Sequence, residues 1–149
     1  MKRISLWMLG AFLILQTQTF GQNSPTSDLG KEAVQLASYW FESISKAESI
    51  EKIMDISNVP FALDDKKLLN TYKELWDIYE EVFSSKGPRE IPKYKASIYK
   101  TYNEIYENLI PLQYYIIQID IKEGSYTDDV VMITVAVQNK ELKVVGMTD

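Results

Sequence analysis

The stretch TYKELWDIYEEVFSSKGP, residues 71–88, divides the chain into two unlike parts. It opens on Thr71 with Glu74 three positions on. That pair forms a capping box, in which the hydroxyl accepts from the N3 amide and the carboxylate reaches back to the cap amide. Tyr72, Leu75, Trp76, Tyr79, Val82 and Phe83 then recur at spacings of three and four, which puts them on one apolar face of a helix. Gly87 can take the left-handed conformation after the last turn, and Pro88 prevents the helix from continuing. These signals predict a helix over residues 72–86.

Downstream of that helix the pattern changes to β. Leu112 to Lys122 holds two tyrosines and a cluster of isoleucines. Gly124, Ser125 and Asp128 mark a turn, and Val130 to Gln138 is rich in β-branched residues. Asn139 and Lys140 make a tight connection to a last strand, Leu142 to Met147, so these strands form an antiparallel meander. Residues 93–108 satisfy two periods at once. Tyr94, Ala96 and Ile98 alternate with polar neighbours, whereas Ile98, Tyr99, Tyr102, Ile105 and Tyr106 fit a helix. The reading adopted is a strand over 94–102 followed by a helical turn to residue 108.

Upstream, Ser27 or Asp28 can cap a first helix that runs to about Ser45. Its apolar face carries Ala33, Val34, Ala37, Trp40, Phe41 and Ile44. A shorter helix is expected over residues 48–56, ended by Asn58 and Pro60. Val59 to Leu63 reads as a short strand, and residues 64–67 as a turn. Helices first and strands last indicate an α+β class, with helices packed on one face of a curved antiparallel sheet. The other sheet face must then meet solvent or a second copy.

The first 21 residues read as a signal peptide. Lys2 and Arg3 form a basic start, residues 4–15 an apolar middle, and Thr19 and Gly21 a small-residue end. The apolar run is shorter than the roughly 20 residues needed to cross a bilayer. Residues 22–27 read as a flexible leader and 28–149 as one domain. The expected location is periplasmic or secreted, with no membrane association after cleavage. The chain has no Cys, so it lacks a lipoprotein anchor site, disulfides and thiol chemistry. An exported domain without disulfides must be held by its core.

Without Lys2 and Arg3 the 16 Lys and Arg fall to 14, against 21 Asp and Glu, for a net charge of −7. A field of that sign repels phosphate backbones. Arg89 is the one arginine left for bidentate recognition of bases or phosphates. Nucleic acid is therefore not an expected partner. The chain also has no His, which removes histidine bases and leaves only carboxylates for metal. Asp64-Asp65 and Asp128-Asp129 read as turn formers, because neither pair has the alternating oxygen ligands of a calcium loop. No cofactor is implied.

On Asn58-Val59-Pro60-Phe61-Ala62-Leu63-Asp64-Asp65, the Leu75-Trp76 helix and the ending Val144-Val145-Gly146-Met147-Thr148-Asp149, the chain resembles the nuclear transport factor 2-like superfamily. That superfamily includes the SnoaL-like and ketosteroid-isomerase-like proteins. The resemblance spans about residues 28–149 and rests on short structural motifs. It implies a cone-shaped, cystatin-like α+β roll: a strongly bent sheet wraps a long helix and leaves a cavity at the open end. It also implies a homodimer through the outer sheet face. Members include enzymes, binders and assembly modules, so the fold does not choose among them.

Within such a cone, Trp40, Phe61, Trp76 and Tyr79 are the ligand-pocket candidates. Trp and Tyr combine apolar area with a polar tip, which suits a small apolar or amphipathic ligand; equally, such a stripe can simply fill the core. An isomerase or lyase would need a carboxylate base and a Tyr as oxyanion donor. Asp120, in an apolar strand, is the acid to consider if it faces inward, but alternation can also place it on the wet face beside Gln118 and Lys122. Tyr94, Tyr99, Tyr102 and Tyr106 form a second aromatic run suited to a dimer interface or to cross-strand packing. No catalytic residue is assigned. The leading expectation is a non-catalytic module that binds a small molecule or another protein. The alternative is a small isomerase or lyase using a carboxylate and a Tyr.

Overall fold

The structure is a computed structural model that describes residues 25–105, 111–123 and 127–149. The segment read as a signal peptide, most of the segment read as a leader, Tyr106, and Gly124 and Ser125 of the expected turn lie outside the described residues. Contacts divide the chain into residues 1–31 and 32–149. The fold that follows is that of the second unit, together with the helix that enters it from Pro25.

The first helix is α1, Pro25–Lys46. It starts within the segment expected to be a leader. Pro25 fits there because the first helical turn has no use for its missing N–H. On α1, Ala33, Ala37, Trp40 and Phe41 are buried at spacings of four, three and one, the pattern of a single inward stripe. A short helix α2, Ile50–Asp55, follows; its cap Ser49 accepts from the amide of Lys52. Strand β1, Ser57–Leu63, leads through a 3-10 turn, Asp64–Lys66, into the three-residue strand β2, Lys67–Leu69. Asp64 turns the chain with φ 52°.

Helix α3 spans Tyr72–Lys86, as the capping box and Gly87 predict. The Glu74 carboxylate accepts from the Thr71 amide at 2.9 Å, and the Thr71 hydroxyl accepts from the Glu74 amide at 3.2 Å. Gly87 takes φ 62° beyond the last turn. The helix-period stripe expected on α3 is rotated in the structure. Leu75 and Tyr79 are buried, while Trp76 is half-buried, about 100° further round the helix.

Strands β3 (Tyr94–Ile105), β4 (Pro111–Glu123), β5 (Thr127–Gln138) and β6 (Glu141–Thr148) form the meander. The hairpin between β5 and β6 turns on Asn139 and Lys140, both at positive φ, 50° and 67°. Two positive-φ residues suit the right-handed twist of the paired strands. The expected helical turn after residue 102 is corrected over 103–105, where β3 continues as strand. Asp128 and Asp129 belong to β5 rather than to a turn, because β4 and β5 stay paired out to Glu123 and Thr127.

The sheet order is β2-β1-β6-β5-β4-β3. It is curved and mixed rather than wholly antiparallel, because β1 runs parallel to β6. Bulges supply curvature by placing an extra residue in one strand and increasing local twist. In β3 the extra residue is Tyr99, since Ile98 pairs with Ile117 and Lys100 with Ile116. In β6 it is Val145, since Thr134 pairs with Gly146 and Val135 with Val144. The concave face carries Tyr115, Ile117, Ile119, Ile133, Val135 and Val144, none more than 1% exposed. Each buried aliphatic side chain of this size contributes about 1.5–3 kcal/mol.

Candidate functional site

The inward faces of α1, β1, α3 and the sheet line an open cavity of about 940 Å³. Its apolar wall includes Trp40, Phe61, Ile78, Tyr79, Val82 and Met147. Its charged lining residues are Lys86, Arg89, Glu90, Asp129 and Asp149, all exposed, so the charges lie at the mouth. The sequence places the walls by simple periodicity. Ile78, Tyr79 and Val82 are spaced one and three on α3. On β4 the inward residues 115, 117 and 119 continue to Ile121, which reaches the cavity.

Three aromatic rings pack at the wall. Trp40 lies 6.5 Å from Phe61 and 6.3 Å from Tyr79 between ring centroids, and Phe61 meets Tyr79 edge-on at 6.4 Å. Such offset and edge-on contacts are the favoured arrangements of aromatic quadrupoles. A chain of hydrogen bonds joins two of these rings to the backbone. The Trp40 indole N–H donates to the Tyr79 hydroxyl at 3.0 Å. The Ser57 hydroxyl donates to the carbonyl of Ile53 at 2.7 Å, which uses its single proton. The 2.7 Å contact between Ser57 and Tyr79 is therefore a bond that Tyr79 donates.

That chain fixes what Tyr79 can do. Its proton is committed to Ser57, so it does not point a free donor into the cavity. Burial pushes its hydroxyl up to about 12, against the opposing pull of its hydrogen bonds with Ser57 and Trp40. It stays a neutral phenol through the physiological range. Among the described residues, no buried side-chain nitrogen or oxygen lacks a hydrogen-bond partner. The cavity wall is thus apolar in character, with its polar atoms already satisfied.

Of the four pocket candidates read from the sequence, Trp40, Phe61 and Tyr79 line the cavity together. Trp76 does not; it sits on the flank of α3, outside the stripe that runs through Leu75, Tyr79 and Val82. Asp120 lies on the outer sheet face, where it accepts from Gln118 at 2.6 Å, two residues along the same strand. The buried residues Tyr115, Ile117 and Ile119 occupy the opposite parity. Asp64 and Asp65 are exposed in their turn, and no group of three carboxylates suited to a metal occurs among the described residues.

The bulge at Tyr99 splits the second tyrosine run. Before it, Tyr94 shares the inner face with Ile121, packs edge-on against Phe41 at 5.1 Å and donates to Glu42 at 2.6 Å. After it, Tyr102 shares the outer face with Tyr114 and stacks on it at 4.6 Å. Tyr99 itself is 61% exposed. Residues that the sequence did not single out as site residues are Ser57, which anchors Tyr79, and Met147 and Arg89, which line the cavity. Arg89 lies in the connection directly after the Gly87-Pro88 stop, beyond the end of α3.

No protein-family profile matches the chain, and no curated protein matches it. Solved structures do. An NTF-2 like protein of unknown function from Shewanella oneidensis MR-1 aligns with TM-score 0.50 at 16% identity, covering 83% of this chain and 97% of its own. An NTF2-like protein of unknown function from Pseudomonas putida KT2440 aligns with TM-score 0.47 at 10% identity, covering 81% and 84%.

Proposed function

On the NTF2-like fold that this chain shares with those structures, we propose a non-catalytic module that binds a small apolar or amphipathic molecule in the cavity. The observation that carries this reading is the pairing of an apolar, aromatic wall with a volume of about 940 Å³, within the range of small-molecule sites. Catalysis of the isomerase type is less well supported. The tyrosine in the wall has its proton committed to Ser57, and Asp120 is on the outer face. The carboxylates that reach the cavity are at its exposed mouth.

Titration with 1-anilinonaphthalene-8-sulfonate, followed by fluorescence, tests the proposal. Val82→Trp should fill part of the cavity and weaken binding at least about tenfold. Unchanged affinity in a folded Val82→Trp variant would place the bound dye elsewhere and contradict the reading.

Pairing of two copies through the outer sheet face is a second proposal. It is carried by the Tyr102–Tyr114 stack beside the half-buried Ile116 and Met132. Sedimentation equilibrium tests it: Ile116→Glu should shift a dimer to monomer. A wild-type monomer at all concentrations would end it. Export to the periplasm or beyond remains a proposal carried by residues 1–21 and is tested by sequencing the N-terminus of the protein recovered from the cell exterior fractions.

A further inference from the structure

The mouth of the cavity carries charge of both signs on different elements. Lys86 ends α3 and Arg89 follows three residues later. The Arg89 amide donates to the carbonyl of Ser45 at 2.9 Å, which holds this connection against α1. Asp129 comes from β5, opposite Ile121 in the register, and Asp149 follows β6. Glu90 adjoins Arg89. Among the described residues the ion pairs are Lys46–Glu48, Lys73–Asp77 and Lys143–Glu141. None of the five mouth residues takes part in one.

Those unpaired charges discriminate among head groups. A purely anionic head seated on Lys86 and Arg89 would also meet Asp129, Asp149 and Glu90. A purely cationic head would meet the reverse. A head with both charges can set its anion toward Lys86 and Arg89 and its cation toward Asp129 and Asp149. Below it, the wall of Trp40, Phe61, Ile78 and Val82 offers only apolar surface to a chain. We infer that the occupant of the cavity is a single-chain zwitterionic amphiphile, its apolar chain against the aromatic wall and its head across the Arg89–Asp129 mouth. This inference rests on the cavity-binding reading and adds the class of ligand.

Calorimetric titration of the protein with four dodecyl probes below their micelle concentrations tests it. The probes are dodecylphosphocholine, dodecanoate, dodecyltrimethylammonium and dodecyl maltoside. Exposed charge pairs are each weak, so the expected preference for the phosphocholine is about threefold to tenfold over either singly charged probe. The preference should shrink as salt is raised. Arg89→Gln should erase the advantage over dodecyltrimethylammonium, and Asp129→Asn the advantage over dodecanoate. Equal affinity for all four probes would overturn the head-group inference and leave the cavity reading standing. Binding of none of them would overturn both.

Discussion

The indole N–H of Trp40 and the hydroxyl of Tyr79 lie 3.0 Å apart, joined across 39 positions of sequence. This bond ties α1 to α3 at the cavity wall, and Ser57 extends it into β1. Tyr79→Phe removes the acceptor and leaves the Trp40 N–H buried without a partner, at a cost of about 1–3 kcal/mol. Chemical denaturation at neutral pH checks this; an unchanged midpoint would mean that Trp40 finds another acceptor.

The same tyrosine gives the fold an alkaline dependence. Its folded value of about 12 lies above the ordinary value of 10.0. As pH rises, the unfolded chain releases this proton first, so the unfolded state binds fewer protons and stability falls. The contribution is present below pH 10 and is lost between about pH 10 and 12, a loss of about 2–3 kcal/mol. Stability curves for the wild type and Tyr79→Phe should converge over that window. Parallel curves would remove Tyr79 as the source.

The two tryptophans of α1 and α3 should behave differently. Trp40 is 3% exposed, and Trp40→Ala should cost about 3–5 kcal/mol. Trp76 is half-buried on the flank of its helix, and Trp76→Ala should cost less than about half as much. Paired urea titrations check the ranking; equal costs would place Trp76 in the core after all.

Gly146 marks the close approach of β6 to β1. A Cβ there would lie 3.0 Å from the Ala62 carbonyl oxygen and 3.2 Å from the Ala62 Cβ. The first contact is with backbone in a paired strand, which yields little, so Gly146→Ala should destabilise by about 1–3 kcal/mol. Gly146→Ala with unaltered thermal stability would argue against the parallel pairing of β1 with β6.

Thr71→Ala removes one half of the capping box and should cost about 1 kcal/mol. This was the feature most legible in the sequence. Cap, stripe and stop signal are all local, and α3 begins and ends where they predict. The strand-rich last third was legible for the same reason, since alternation and turn residues act over a few positions. Residues 94–105 misled because the bulge at Tyr99 shifts the phase of alternation. Tyr94 and Ile98 face one way and Tyr102 the other, and a strand with a one-residue slip resembles a helical period. Parallel pairing of β1 with β6 is a long-range contact with no local signal. The site divides similarly. Trp40, Phe61 and Tyr79 sit on helical and strand faces that line the cavity, whereas Trp76 lies off it, because an apolar stripe wide enough for six residues does not say which three point inward. Arg89 has no local pattern that places it at the cavity, because its position depends on where the end of α3 lies in space.

The central claim is that the cavity beside Trp40 and Phe61 holds the apolar part of a ligand. The most direct measurement is a crystal structure of the protein with a brominated single-chain amphiphile, read for the position of the bromine. The bromine is expected inside the cavity, against Trp40, Phe61 and Val82. Bromine on the outer sheet face near Tyr102 and Tyr114, with the cavity empty, would contradict it.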